Sequence, residues 1–199
     1  CHYKPENIQQ KINIKEIKNL GIGKNIYSSN LAVENLIDWC SREYPRYLDR
    51  HDLIEKLQNL NIALRVYGKG WERVSEFKNV FFGEITNLTD LLNVYQSSKI
   101  NLSNNTHGLG LHSRVLECMA VGGFILMHSS PNDSKAGGVL TEFEEGKHFA
   151  FYNYKNLQNE IVSWLKDEQK RKKIAENARL IIQKRHLWKH RASQILNDL

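Results

Sequence analysis

The chain has 199 residues, 41% hydrophobic and 25% charged, with a formal net charge of +6. That is ordinary globular composition, enough for one large domain with a core. It holds no run of about 18 apolar residues, which excludes a membrane-spanning helix. Cys1, Cys40 and Cys118 are odd in number and lack C-x-x-C spacing. That argues against a disulfide scaffold or zinc ribbon and fits a reducing compartment.

Residues 1–23 are polar, with Ile12, Ile14, Ile17 and Leu20 at mixed spacing, and read as a linker or short extension. The domain is expected over 24–199. Lys24–Leu31 suits a first strand. Val33, Leu36 and Ile37 give a short helical pattern that Pro45 is expected to break. A helix opening at Asp49 or His51 then carries Leu53, Ile54 and Leu57 and ends near Leu60. Asn61–Tyr67 reads as a strand, with a sharp turn at Gly68-Lys69-Gly70-Trp71. Val80–Phe82 is a short strand closed by Gly83. Asn87 or Thr89 caps a helix with Leu88, Leu91, Leu92 and Tyr95 inward. Lys99–Leu102 is the next strand.

The stretch from Asn101 to Ser129 carries the most information. Asn104, Asn105, Gly108 and Gly110 suit a loop that tolerates left-handed backbone. Ser113 or His112 can cap the next helix. Val115, Leu116, Met119 and Ala120 mark its buried face, and Gly122 its C-terminal stop. Phe124–Met127 is a continuous apolar run, as inside a parallel sheet. A loop rich in Ser, Pro, Asn, Asp and Gly spans His128–Gly138, followed by a short element at Val139–Phe143. His148–Tyr152 is the last strand. Three helices follow, carrying Leu157, Ile161, Trp164 and Leu165; then Ile174, Ala178, Ile181 and Ile182; then Trp188, Ala192 and Ile195.

Alternating strands and helices predict an α/β fold, a Rossmann-like parallel sheet of about six strands with helices on both faces. Ligands in such sheets sit at the carboxyl ends of the strands. Residues 68–71, 83–86 and 104–113 are expected to converge there. A helix N-terminus entered from that loop offers unpaired N–H groups to an anion. Arg114 in its first turn suits a phosphate, and Glu117 suits a sugar diol, since a carboxylate accepts two hydrogen bonds. The spacing equally suits an Arg and a Glu that merely pair at a helix end.

VYGKGW (66–71), FFGEI (81–85), LLNVYQSSKINLS (91–103), RVLECMAVGGFIL (114–126) and the trailing EEGKHFAFYNYKNLQNEIVSWLKDEQKRKKIAENA resemble a known family. The likeness is to the C-terminal, donor-binding half of GT-B glycosyltransferases, nearest the branch of the spore-maturation protein CgeB, beside the family-4 (group 1) retaining enzymes. The resemblance implies a nucleotide-diphosphate-sugar substrate, UDP- or GDP-linked, with no cofactor or metal. It implies Glu117 on the ribose and Gly83, Glu84 and Ile85 on the base. Gly108, Gly110, His112, Ser113 and Arg114 would face the diphosphate. Gly68 belongs to the converging turns, and Arg50, at a helix start, would be a phosphate-binding cation. The acid that family-4 enzymes carry eight positions before the ribose glutamate is here Leu109. The acceptor site would belong to an N-terminal domain. The methionines are Met119 and Met127 alone, so the chain is expected to be part of something longer.

The charge is uneven. Residues 166–191 hold ten Lys/Arg and three Asp/Glu. They form a solvated helical face or an attraction to an anionic membrane surface or an acidic acceptor; nucleic acid is not expected. The expected location is cytoplasmic, or peripheral at a membrane. The alternative function is a non-catalytic nucleotide- or partner-binding module. His107 and His112 lack a third partner for a metal. Trp71 could stack on a base or pack on its own domain. Asp133, Ser134 and Lys135 sit in a loop placed to touch the donor, or read as a plain solvated loop. Cys118 reads as core, and His186 and His190 as a mixed surface and packing face.

Overall fold

The computed structural model of the protein describes residues 35–104 and 111–197. Its helices are α1 (Tyr44–Gln58), α2 (Leu88–Ser97), α3 (Ser113–Ala120), α4 (Leu157–Lys166), α5 (Glu168–Arg185) and α6 (Trp188–Asn197). Its strands are β1 (Asn101–Ser103), β2 (Ile125–His128) and β3 (Ala150–Tyr152). The chain divides into two compact units, 1–49 and 50–199.

In the second unit, β2 is the middle strand. It pairs in parallel with β1, Leu102 opposite Leu126, and with β3, Met127 opposite Phe151. Successive side chains of a strand point to opposite faces, so the apolar run 124–127 feeds two cores. Phe124 and Leu126 pack with Leu53 and Leu57 of α1 and Leu157, Ile161 and Trp164 of α4. Ile125 and Met127 pack with Val115, Cys118 and Met119 of α3 and with Val139 and Phe143. Helix α5 serves both cores, through Ile174 and Ala175 on one side and Ala178 and Ile182 on the other. The α/β architecture, parallel and covered on both faces, matches the expectation.

The strand number does not. Among the described residues the sheet has three strands, not six. Lys24–Leu31 lies outside them. Asn61–Tyr67 and Val80–Phe82 shrink to one parallel bridge, Val66 opposite Phe81. The reason is local. Ile62 N–H donates to the Leu60 carbonyl at 2.6 Å, and Leu64 N–H to that of Ile62 at 3.0 Å. These i to i−2 turns use up groups that a strand would offer its neighbour.

Pro45 does not break its helix either. Trp39–Glu43 is a π-helical turn, and the Tyr44 N–H reaches back to the Trp39 carbonyl. The widened turn runs straight into α1, with Pro45 in its first turn, where a missing N–H costs little. The helix expected at Asp49 or His51 therefore opens at Tyr44.

Helix α3 ends as expected. Gly122 takes φ 75°. Its N–H bonds the Met119 carbonyl at 3.1 Å, and that of Gly123 the Cys118 carbonyl at 2.9 Å. This is a Schellman cap. The buried face is Val115, Cys118 and Met119; Leu116 is half-buried, and Ala120 is exposed. Asn87 caps α2 through its side chain, as expected, but Leu88 faces solvent.

Candidate functional site

Helix α3 follows the carboxyl end of β1. His112, not Ser113, is its N-cap: the Arg114 N–H donates to His112 Nδ1 at 3.3 Å. Ser113 becomes the first helical residue. Arg114 is exposed in the first turn, and Glu117 is half-buried one turn on. Tyr95 of α2 stands beside both. Burial raises its hydroxyl pKa above the ordinary tyrosine value, the Glu117 carboxylate raises it further, and Arg114 opposes. Sequence reasoning placed Tyr95 on the inner face of α2, and helical spacing says nothing of what lies across that face.

The loop after β2 meets this helix entrance. The Leu111 N–H donates to the Gly137 carbonyl at 2.7 Å. Asp133 is not a solvated loop residue. It is buried, and its Oδ2 accepts the Ser130 N–H at 2.5 Å. Burial raises its pKa, while the Ser130 hydrogen bond and nearby His128 oppose the shift. Ser134 and Lys135 are exposed. The expected turn chemistry around Ser, Pro, Asn and Asp was visible; the inward aim of one carboxylate was not.

A second group gathers at the Val66–Phe81 pairing. The Gly68 N–H donates to the Gly83 carbonyl at 3.0 Å. Both glycines have positive φ, 128° and 96°, which L-residues with side chains rarely adopt. Glu84 is exposed and Ile85 half-buried. Trp71 packs on Phe77, ring centroids 5.7 Å apart, which is the packing alternative of the two expected. Arg50 lies within α1 rather than at a helix start, because the helix opens six residues earlier, at Tyr44. Gly108 and Gly110, with His107 and Leu109, fall outside the described residues.

The other candidates are structural. The Cys118 thiol is buried and pushed up to about 12 by desolvation, so it stays protonated. The His186 side chain is buried and stacked on Phe143 at 5.0 Å, while Trp188 is exposed. Arg171 is buried and donates to the Trp164 carbonyl, and Lys170 lies over the Trp164 ring at 4.7 Å. Part of the basic surplus thus serves packing. Among the described residues, His51, Asp52 and Glu55 bring ligand-type atoms within 4.8 Å of one another on α1. The His51 ring also packs at 4.7 Å on Phe77. No helix among the described residues is long and apolar enough to cross a membrane.

A cation and a carboxylate thus stand at successive turns of a helix entered from the carboxyl end of a parallel strand. No curated protein matches the chain. A family model described as Glycosyl transferase-like matches residues 42–197, which takes in both glycine turns, α3 and the last helices. By that match over most of its length, the chain belongs to the glycosyl transferase-like family.

Proposed function

We propose that this chain is the donor-binding domain of a glycosyltransferase of the CgeB-like branch, and that its substrate is a UDP- or GDP-sugar. The observation that carries the reading is helix α3. Its capped N-terminus follows β1, with Arg114 in the first turn and Glu117 one turn later. The diphosphate lies at the helix entrance, where the positive end of the helix dipole and Arg114 offset its charge. Glu117 accepts from the two ribose hydroxyls. Gly83, Glu84 and Ile85 meet the base, with Gly68 bonded alongside Gly83. In transfer, the sugar's anomeric carbon gains a bond to the acceptor's nucleophile, which gives up its proton to a base, as the bond to the diphosphate oxygen breaks and the nucleoside diphosphate leaves. The helix dipole and Arg114 then stabilise the departing diphosphate.

A peripheral contact of residues 166–191 with an anionic surface keeps support from exposed Lys172, Lys173, Lys184, Arg185 and Lys189. Arg171 is withdrawn from that face by its buried bond.

Calorimetric titration with UDP, GDP and ADP, each beside its parent nucleoside, tests the donor reading. The expected result is selective binding of UDP or GDP over the nucleoside. Binding of no diphosphate would overturn it.

A further inference from the structure

We infer that the loop at residues 129–138 positions the anion-facing entrance of α3, with Asp133 and Gly138 as the positioning residues. The inference rests on the proposed diphosphate site and adds to it two residues that touch no substrate.

The loop is closed from inside. The Ser130 N–H donates to Asp133 Oδ2 at 2.5 Å, and the Leu140 N–H to the Asp133 carbonyl at 2.9 Å. A buried carboxylate is costly unless it is hydrogen-bonded, so this acceptor role accounts for an acid at that depth. Gly138 lies against the same backbone. A Cβ there would meet the Asp133 carbonyl oxygen at 2.3 Å and that of Asn132 at 2.6 Å. Its φ of −77° suits any residue, so the site excludes a side chain by space and not by torsion.

The closed loop then holds the helix. Gly137, beside Gly138, accepts the Leu111 N–H at 2.7 Å. Leu111 precedes His112, the N-cap whose ring takes the Arg114 N–H. One hydrogen bond therefore links the loop after β2 to the residue that begins the cap. An anion site at a helix entrance depends on where the helix dipole and Arg114 point, and misplacement by about 1 Å is expensive. Asp133 and Gly138 act on the diphosphate only through this link.

The test is calorimetry of the 199-residue chain with the diphosphate that binds the wild type and with its nucleoside, beside thermal melts. Gly138→Ala and Asp133→Ala should each weaken the diphosphate about fivefold or more, the scale of one lost hydrogen bond, and leave the nucleoside within about twofold. Asp133→Asn keeps an acceptor for the Ser130 N–H and should restore the wild-type value. Leu111→Pro removes the linking donor without altering the loop, and should reproduce the selective loss if the loop variants fail to fold. Wild-type affinities in folded variants, or equal losses for both ligands, overturn this inference alone. A wild type that binds no diphosphate overturns the site reading, and this one with it.

Discussion

Gly123 lies so close to Cys118 that a Cβ on the glycine would stand 2.6 Å from the Cys118 sulfur, and 2.8 Å from the Tyr95 carbonyl oxygen. That carbonyl also accepts from Asn101 Nδ2 at 2.8 Å. Helix α2, β1, helix α3 and the entry to β2 meet at this point with no room to spare. Gly123→Ala should therefore destabilise the protein by about 1–3 kcal/mol, the usual cost of overpacking. Urea denaturation checks it, and an unchanged midpoint would refute it.

Glu117→Ala should weaken nucleotide binding by about 1.5–3 kcal/mol, the scale of a hydrogen bond to a charged group. The side chain is half-buried, so the melting temperature should barely move. The reverse pattern, full affinity with a lower melting temperature, would make the carboxylate structural.

Arg114 is exposed. Arg114→Ala should cost a nucleoside diphosphate about tenfold, within the range of a charge-assisted contact, and spare the bare nucleoside. Side-by-side titrations read the difference. Equal losses would move the diphosphate elsewhere.

Two buried imidazoles predict an acid-side loss of stability. Burial lowers the His148 pKa below its ordinary 6.5, with Glu144 opposing and Lys147 assisting. Burial does the same to His186; there Glu142 opposes, and Arg191, Arg185 and His190 assist. The unfolded chain thus binds these protons more tightly than the folded one. Stability is fully present above the unfolded value of 6.5 and falls as pH drops from there toward the lower folded values. The slope from each imidazole is at most about 1.4 kcal/mol per pH unit, the limit for one proton. His148 Nδ1 accepts the Glu144 N–H at 3.0 Å, a bond that protonation removes. His148→Asn offers an acceptor that does not titrate, and should flatten part of the slope in denaturation curves between pH 5 and 7. An unchanged slope would exclude His148.

Where local chemistry decides the structure, the sequence was readable. Four apolar residues before His128 announced a strand buried on both faces, Asn87 a cap, and Gly122 a helix stop. Pro45 misled because a π turn ahead of it made the room its ring needs. The strand expected at 61–67 failed because Leu60, Ile62 and Leu64 bond among themselves. That Arg114 and Glu117 share the first turns of one helix was legible from spacing. Tyr95 and Asp133 were not, since each matters through a partner on another segment, and periodicity carries no information about such meetings.

Helix α5, which feeds side chains to both cores, has a consequence for biosynthesis. Domains fold as units during translation, at about 5–20 residues per second. The three described strands are complete once Tyr152 has been made, yet neither core closes until Ile174, Ala175, Ala178 and Ile182 follow. A ribosome stalled once Tyr152 has left its exit tunnel but before Ile174 has would hold the three described strands with both apolar faces incompletely covered. Synthesis of one helical segment converts that chaperone substrate into a finished domain.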